Sequence, residues 1–274
     1  MMKNFLVLLM ILLWGALSAQ NAWAISCKEL DTDQKIKAFV KKAKESNPLN
    51  RENVSTRLEM TTKEKGDKKI EQVHNLRLKD KKRTVFLKGK NAPICAISVG
   101  KRDFKCNECT LLTNSQCRSF KSSEKSTTIR GTNIDTNDFK LLESSDFKSV
   151  CEEIPKKANY LKIISSKVAG NSGYDQIVSY YDKKKEVPVI TNYSAKKVLR
   201  KVYRFFPKYY IQLKGRWIST VTRVRTTKGS EKKYTFETLI KVLKTKGNKY
   251  QIYLDPAKDP ALKKANMRLL FNTK

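Results

Sequence analysis

The sequence predicts a mainly β fold of antiparallel neighbours, and three observations predict it. From Tyr174 to Leu243 the chain is a ladder of short segments rich in β-branched and aromatic residues, separated by turn residues. These segments follow one another too closely for the crossover helices that parallel strands need. Upstream, Thr56–Met60 and Leu76–Lys79 alternate apolar with charged residues, the period-two signature of a strand with one buried face and one wet face.

Taken in order, residues 1–24 stand apart from the fold. Lys3 supplies a positive start, Phe5–Leu17 an apolar run, and Ala22-Trp23-Ala24 a small-x-small cleavage site. The apolar run is shorter than the roughly 20 residues of a membrane span. The reading is a signal peptide at 1–24, cut after Ala24, with 25–274 forming a single β domain in the periplasm. Ala24–Cys27 also loosely fits a lipobox, without Leu three residues before the cysteine. Lipid anchoring through Cys27 is therefore the alternative.

Asp31–Asn47 predicts a helix. Ile36, Phe39, Val40 and Ala43 fall on one face and lysines on the other; Asp31 or Thr32 can cap its start, and Asn47-Pro48 ends it. Strands follow at Thr56–Met60, Leu76–Lys79, Arg83–Lys88, Ala92–Val99 and Tyr160–Val168. The ladder itself is Tyr174–Asp182, Val187–Ser194, Lys197–Phe206, Arg216–Thr227 and Tyr234–Leu243. Lys197–Phe206 presents two mixed faces, so its buried side is not readable. Tyr250–Leu254 reads as a last strand, and Ala261–Leu270, beyond Pro256 and Pro260, as a short terminal helix.

Several of these pieces resemble one known family. They are Tyr174–Lys183, Val187–Val189, Lys197–Lys201, Gly215–Ile218 and Gly229–Thr235, in that order and spacing. Upstream, the stretch from Gly131 to Phe139 is similar to a Gly-Ser-Asp-Phe-x-x-x-Asp-Leu segment of the same family. The family is that of outer-membrane lipoprotein sorting, LolA-like. The resemblance covers roughly residues 125–240. It implies a strongly curved antiparallel sheet, an incomplete β-barrel, with covering helices over its concave side, and a role in shielding acyl chains between membranes. The chain departs from the family at about residues 100–128, where Cys106–Cys117 and a Ser/Thr/Lys-rich stretch replace an aromatic, Pro-containing strand pair.

The formal net charge is +32, carried by lysines interspersed along the whole chain. Such a field attracts anionic headgroups or acidic envelope polymers. Export, and the absence of any recognised nucleic-acid-binding motif, argue against nucleic acid as partner. Six cysteines, Cys27, Cys95, Cys106, Cys109, Cys117 and Cys151, make an even set in an oxidising compartment. Disulfides are expected, with 15 pairings open to three bonds. Cys106-x-x-Cys109 is a candidate redox pair, and zinc would need a second pair that the spacing does not provide. The sole histidine, His74, sits in strand phase with no Gly-x-Ser-x-Gly, and P-loop, Rossmann and zincin motifs are missing. No catalytic site, cofactor or metal is assigned, and the protein does not read as an enzyme.

The expected function is a carrier that shields the acyl chains of a lipid or lipoprotein in an apolar cavity, exchanging with unidentified envelope transport machinery. The cavity candidates are Ile36, Phe39 and Val40 on the helix, with Leu58, Met60, Leu76 and Leu78 on the early strands. Two rivals remain: a basic envelope-binding protein without a lipid cavity, and a thiol-redox protein using Cys106 and Cys109.

Overall fold

A computed structural model describes residues 24–51, 54–64, 67–78, 83–88, 94–98, 104–106, 117–119, 133–134, 138–170, 172–227, 234–255 and 258–260. For the described residues between 71 and 119, and for Asp67, Lys69, Phe139 and Lys140, it describes the backbone course alone. The predicted terminal helix over Ala261–Leu270 lies outside the described residues.

Helix α1 (Asp33–Lys44) comes first. Thr32 is its cap: the Oγ1 accepts from Lys35 N at 3.3 Å, which satisfies one of the orphan donors of the first turn. Then come β1 (Val54–Glu64), β2 (Asp67–Leu78), β3 (Arg83–Lys88), β4 (Ile94–Ser98), β5 (Phe104–Cys106) and β6 (Cys117–Ser119). The four-residue helix α2 (Asp138–Leu141) precedes β7 (Phe147–Glu153), β8 (Tyr160–Lys167), β9 (Gln176–Asp182), β10 (Val187–Ala195) and β11 (Val198–Phe205). The chain ends with β12 (Tyr210–Leu213), β13 (Arg216–Ser219), β14 (Val221–Thr227), β15 (Tyr234–Val242) and β16 (Ile252–Tyr253).

Fourteen strands form one curved antiparallel sheet along the described residues, in the order β6-β5-β4-β3-β2-β1-β15-β14-β11-β10-β9-β8-β7, with β16 added to β1. Two meanders, β1–β6 and β7–β11, are joined through β15 and β14. Strands β6 and β7 end the sheet and do not pair with each other, so it stays an incomplete barrel. The predicted strand over Arg216–Thr227 is two strands. Its first part, β13, pairs with the unpredicted β12 as a separate hairpin, because Lys214 and Gly215 take positive φ (48° and 73°) and reverse the chain. The β10–β11 hairpin turns on Lys196 and Lys197, both left-handed at 50° and 62°.

Alternation decides the faces. Leu161, Ile163 and Ser165 of β8, Ile177, Ser179 and Tyr181 of β9, Tyr203 and Phe205 of β11, and Ile240 and Val242 of β15 are all buried on one face. That face carries α1. Among the described residues no helix is long and apolar enough to cross a membrane.

Candidate functional site

Helix α1 lies across β7 and β10. Its period-3.6 stripe, Ile36, Phe39, Val40 and Ala43, is buried against the sheet. Phe39 meets Tyr181 edge-on, with ring centroids 5.1 Å apart. Leu58 and Met60 of β1 join the same apolar cluster. The five sequence-chosen residues with described side chains therefore come together. Leu76 and Leu78 sit on β2 beside β1, but the register sets Leu58 opposite Val73 and Met60 opposite Glu71, so the alternation of β2 puts Leu76 and Leu78 on the other face of the sheet from Leu58 and Met60. Their side chains, and that of His74, lie outside the described residues.

The start of α1 is stapled covalently. Cys27 and Cys151 form a disulfide joining the N-terminal segment to β7 across 124 positions. A sulfur held in this bond cannot carry a thioether-linked lipid, which removes the basis of the Cys27 anchor in this structure. Glu153 accepts from Cys27 N at 2.9 Å and pairs with Lys183. The Lys183 ammonium first, then the Cys27 N–H, holds the Glu153 carboxyl below its ordinary value against the opposing effect of burial. Ser149 N donates to Asp33 Oδ1 at 2.7 Å. Burial alone would raise the Asp33 carboxyl, but Lys37 and this N–H outweigh it and the pKa is lowered. Further along, Lys44 pairs with Glu143, Lys42 with Glu186 at 2.6 Å, and Glu45 with Arg216 at 2.7 Å. Of the other cysteines, Cys106 and Cys117 stand directly opposite on β5 and β6 and Cys95 lies on β4. Cys109 is outside the described residues.

A buried polar cluster occupies the same face. Asp138, 1 % exposed, opens α2. Its Oδ2 accepts from Lys201 Nζ at 2.8 Å and from the Tyr203 hydroxyl at 2.5 Å, and its backbone carbonyl accepts from the Tyr193 hydroxyl at 2.8 Å. Asn133 pins the preceding segment to the sheet by donating to the carbonyls of Val224 and Phe236. This cluster explains the unreadable face of β11: Lys201 points inward with Tyr203 and Phe205 because Asp138 neutralises it. The sequence marked the Gly131–Phe139 stretch by resemblance alone and gave Asp138 no partner.

Two openings adjoin these elements. A cleft of about 540 Å³ lies at the end of α1, lined by Lys41, Lys42, Arg51, Lys185, Arg216 and Trp217 among others. Arg51 is 7 % exposed, and among the described residues its Nη1 has no hydrogen-bond partner. Burial, and then repulsion from the Arg216 guanidinium, lower its pKa, while Glu45 acts the other way. Sequence reasoning missed Arg51, since one arginine among so many cations carries no distinguishing signal. The second opening, about 750 Å³, is on the opposite face of the sheet. Tyr160, Tyr180, Ile190 and Val202 line it beside Arg204, Arg223 and Arg225. Arg204 and Arg223 are direct cross-strand partners, a like-charge pairing, and both guanidiniums lie over the Phe206 ring.

No protein-family model matches the chain, and no curated protein matches it in sequence. Solved structures do share its fold. A Vibrio parahaemolyticus domain described as that of an outer membrane lipoprotein-sorting protein aligns with a TM-score of 0.54 at 14% identity, over 76% of this chain and 90% of that one. A DUF1329 family protein from Desulfovibrio piger gives 0.55 at 13%, over 75% and 90%. A LolA superfamily protein from Nitrosomonas europaea gives 0.53 at 11%, over 77% and 90%. The fold is LolA-like, as the resemblance implied.

Proposed function

We propose that the protein is a periplasmic carrier for the acyl chains of a lipid or lipoprotein, with α1 as the removable cover of its interior. The observation that carries this reading is the manner of closure. The apolar face of an unclosed sheet is covered by one amphipathic helix, fastened at its start by a disulfide and along its length by ion pairs with exposed or half-buried partners. Exposed pairs of this kind contribute only ~0–1 kcal/mol each. The main resistance to lifting α1 is apolar. Exposing Ile36, Phe39 and Val40 costs roughly 5–9 kcal/mol at about 1.5–3 kcal/mol per side chain. An acyl chain of about ten methylenes entering in their place returns ~8 kcal/mol at about 0.8 kcal/mol each. The exchange is near balance, as reversible loading requires. No reaction is needed, and the reading assigns no catalytic residue. The fold neighbour described as a lipoprotein-sorting domain supports the same role.

Titration of the delipidated protein with a fluorescent fatty-acyl probe tests this reading. Saturable binding is expected in the unmutated protein. Met60→Trp, at a position buried in the apolar cluster under α1 and tested alongside thermal stability, is expected to fill the interior, so probe binding falls while the fold is kept. A folded, lipid-free protein without saturable binding contradicts the carrier role.

A second reading is favoured by the arginines on the opposite face. There Glu237 serves two guanidiniums, Arg225 at 2.5 Å and Arg223 at 3.8 Å, and Arg204 faces Arg223. A basic platform for an acidic envelope polymer would use this face. Binding to such a polymer would fall steeply with salt and survive loss of acyl binding.

A further inference from the structure

We propose that the cleft at the C-terminal end of α1 is an anion site that takes the phosphate of a lipid headgroup. The inference rests on the acyl-carrier reading for the lipid's chain. It stands on three observations about the cleft itself. The first is Arg51. A guanidinium offers five N–H donors in a rigid fork suited to a phosphate or carboxylate. Here it is 7 % exposed, with Nη1 unpartnered among the described residues. A buried charged donor without an acceptor is costly, and a bound anion relieves that cost.

The second observation is the charge balance. Lys41, Lys42, Arg51, Lys184, Lys185 and Arg216 line the cleft against Glu45 and Glu186 alone. Those two carboxylates are engaged by Lys42 at 2.6 Å and Arg216 at 2.7 Å. Arg51 and Arg216 repel one another, and that repulsion falls when a doubly charged group sits between such cations. A phosphate monoester suits this excess better than a single carboxylate does.

The third observation is the wall. Ala38, Ala43, Val187 and Trp217 share the lining, and Lys185 Nζ lies 4.6 Å from the Trp217 ring centroid. Ala43 and Val187 also belong to the apolar cluster under α1. The cleft is thus continuous with the surface that α1 covers. A head bound at Arg51 would have its chain pointed at that interior, which favours a lipid phosphate over a free one.

Calorimetric titration of the delipidated protein with lauroyl-lysophosphatidic acid, monolauroylglycerol and inorganic phosphate tests the assignment. Lysophosphatidic acid is expected to bind at least tenfold more tightly than the uncharged monoglyceride. Arg51→Gln is expected to erase that difference and leave the monoglyceride unchanged. Arg216→Gln, at an exposed position, is expected to reduce the difference in part, and thermal melts of both variants check that they fold. Equal binding of the two lipids, or a difference that survives Arg51→Gln, overturns the phosphate site while the carrier reading stands. Binding of neither lipid overturns both. Inorganic phosphate binding as tightly as lysophosphatidic acid overturns the lipid assignment.

Discussion

Lys201 and Arg51 are both buried cations, and the molecule treats them in opposite ways. Lys201 lies in the interior against Asp138, with the Tyr203 hydroxyl on the same carboxylate oxygen and Tyr193 on the adjoining carbonyl. Arg51 sits at the lip of the same interior, with a guanidinium nitrogen unsatisfied among the described residues and a second guanidinium pressing on it. One cation is held in a completed network that fixes α2 to β11. The other keeps a donor in hand. The first arrangement belongs to the architecture of the sheet, and the second is the one on which the proposed phosphate site rests.

The largest test of this contrast turns Lys201 into a second Arg51. Asp138→Asn leaves Lys201 buried opposite a neutral amide and is expected to destabilise the protein by about 3–5 kcal/mol in urea unfolding. The double change Asp138→Leu with Lys201→Met is expected to recover most of that loss. A double variant as unstable as the single would show that the pair does more than neutralise itself. Next in size, Tyr203→Phe removes one hydrogen bond to the carboxylate, an expected loss of about 1.5–3 kcal/mol in the same assay.

Arg51→Gln should behave differently. Removing an incompletely satisfied buried charge is expected to leave stability within ~1 kcal/mol of the parent, on the stable side. A loss of several kcal/mol in a thermal or urea melt would place Arg51 with Lys201 as a structural cation. The smallest expected effect is pH dependence at the fastened start of α1. Asp33 and Glu153 have folded-state pKa values below their ordinary 3.8 and 4.5. Their contribution is complete above those ordinary values and disappears as pH falls through the lowered folded ones. Melting temperature in dilute acid should therefore drop below about pH 4.5, and Glu153→Gln should flatten that drop.

Much of the fold was legible because period-two and period-3.6 patterns report burial directly. The stripe Ile36, Phe39, Val40, Ala43 gave α1, and the alternations gave β1 and most of the ladder. The hairpin β12–β13 was missed because the break at Thr220, a bend with no Gly or Pro to mark it, interrupts what reads as one run from Arg216 to Thr227. The inner face of β11 was illegible because Lys201 breaks the apolar pattern, and its partner lies 63 positions upstream. No local rule connects such residues. Pattern alone grouped Ile36, Phe39, Val40, Leu58 and Met60, which share one apolar cluster, but it could not fix the phase of β2 against β1, and Leu76 and Leu78 fall on the other face by register. Arg51 had no pattern to find, since its meaning lies in what surrounds it, the end of α1 and Arg216 from a distant hairpin. The disulfide was foreseen as a class, while its pairing of Cys27 with Cys151 needed the fold that brings β7 to the N-terminal segment.

The central claim is that α1 is a removable cover over an acyl-binding interior. Amide hydrogen exchange over residues 33–44, with and without saturating monolauroylglycerol, tests it most directly. The account predicts that these amides lose protection when lipid is bound, while β7 and β8, beneath the disulfide, keep theirs. Helix amides that stay equally protected, or gain protection, on a protein that has bound the lipid would contradict it.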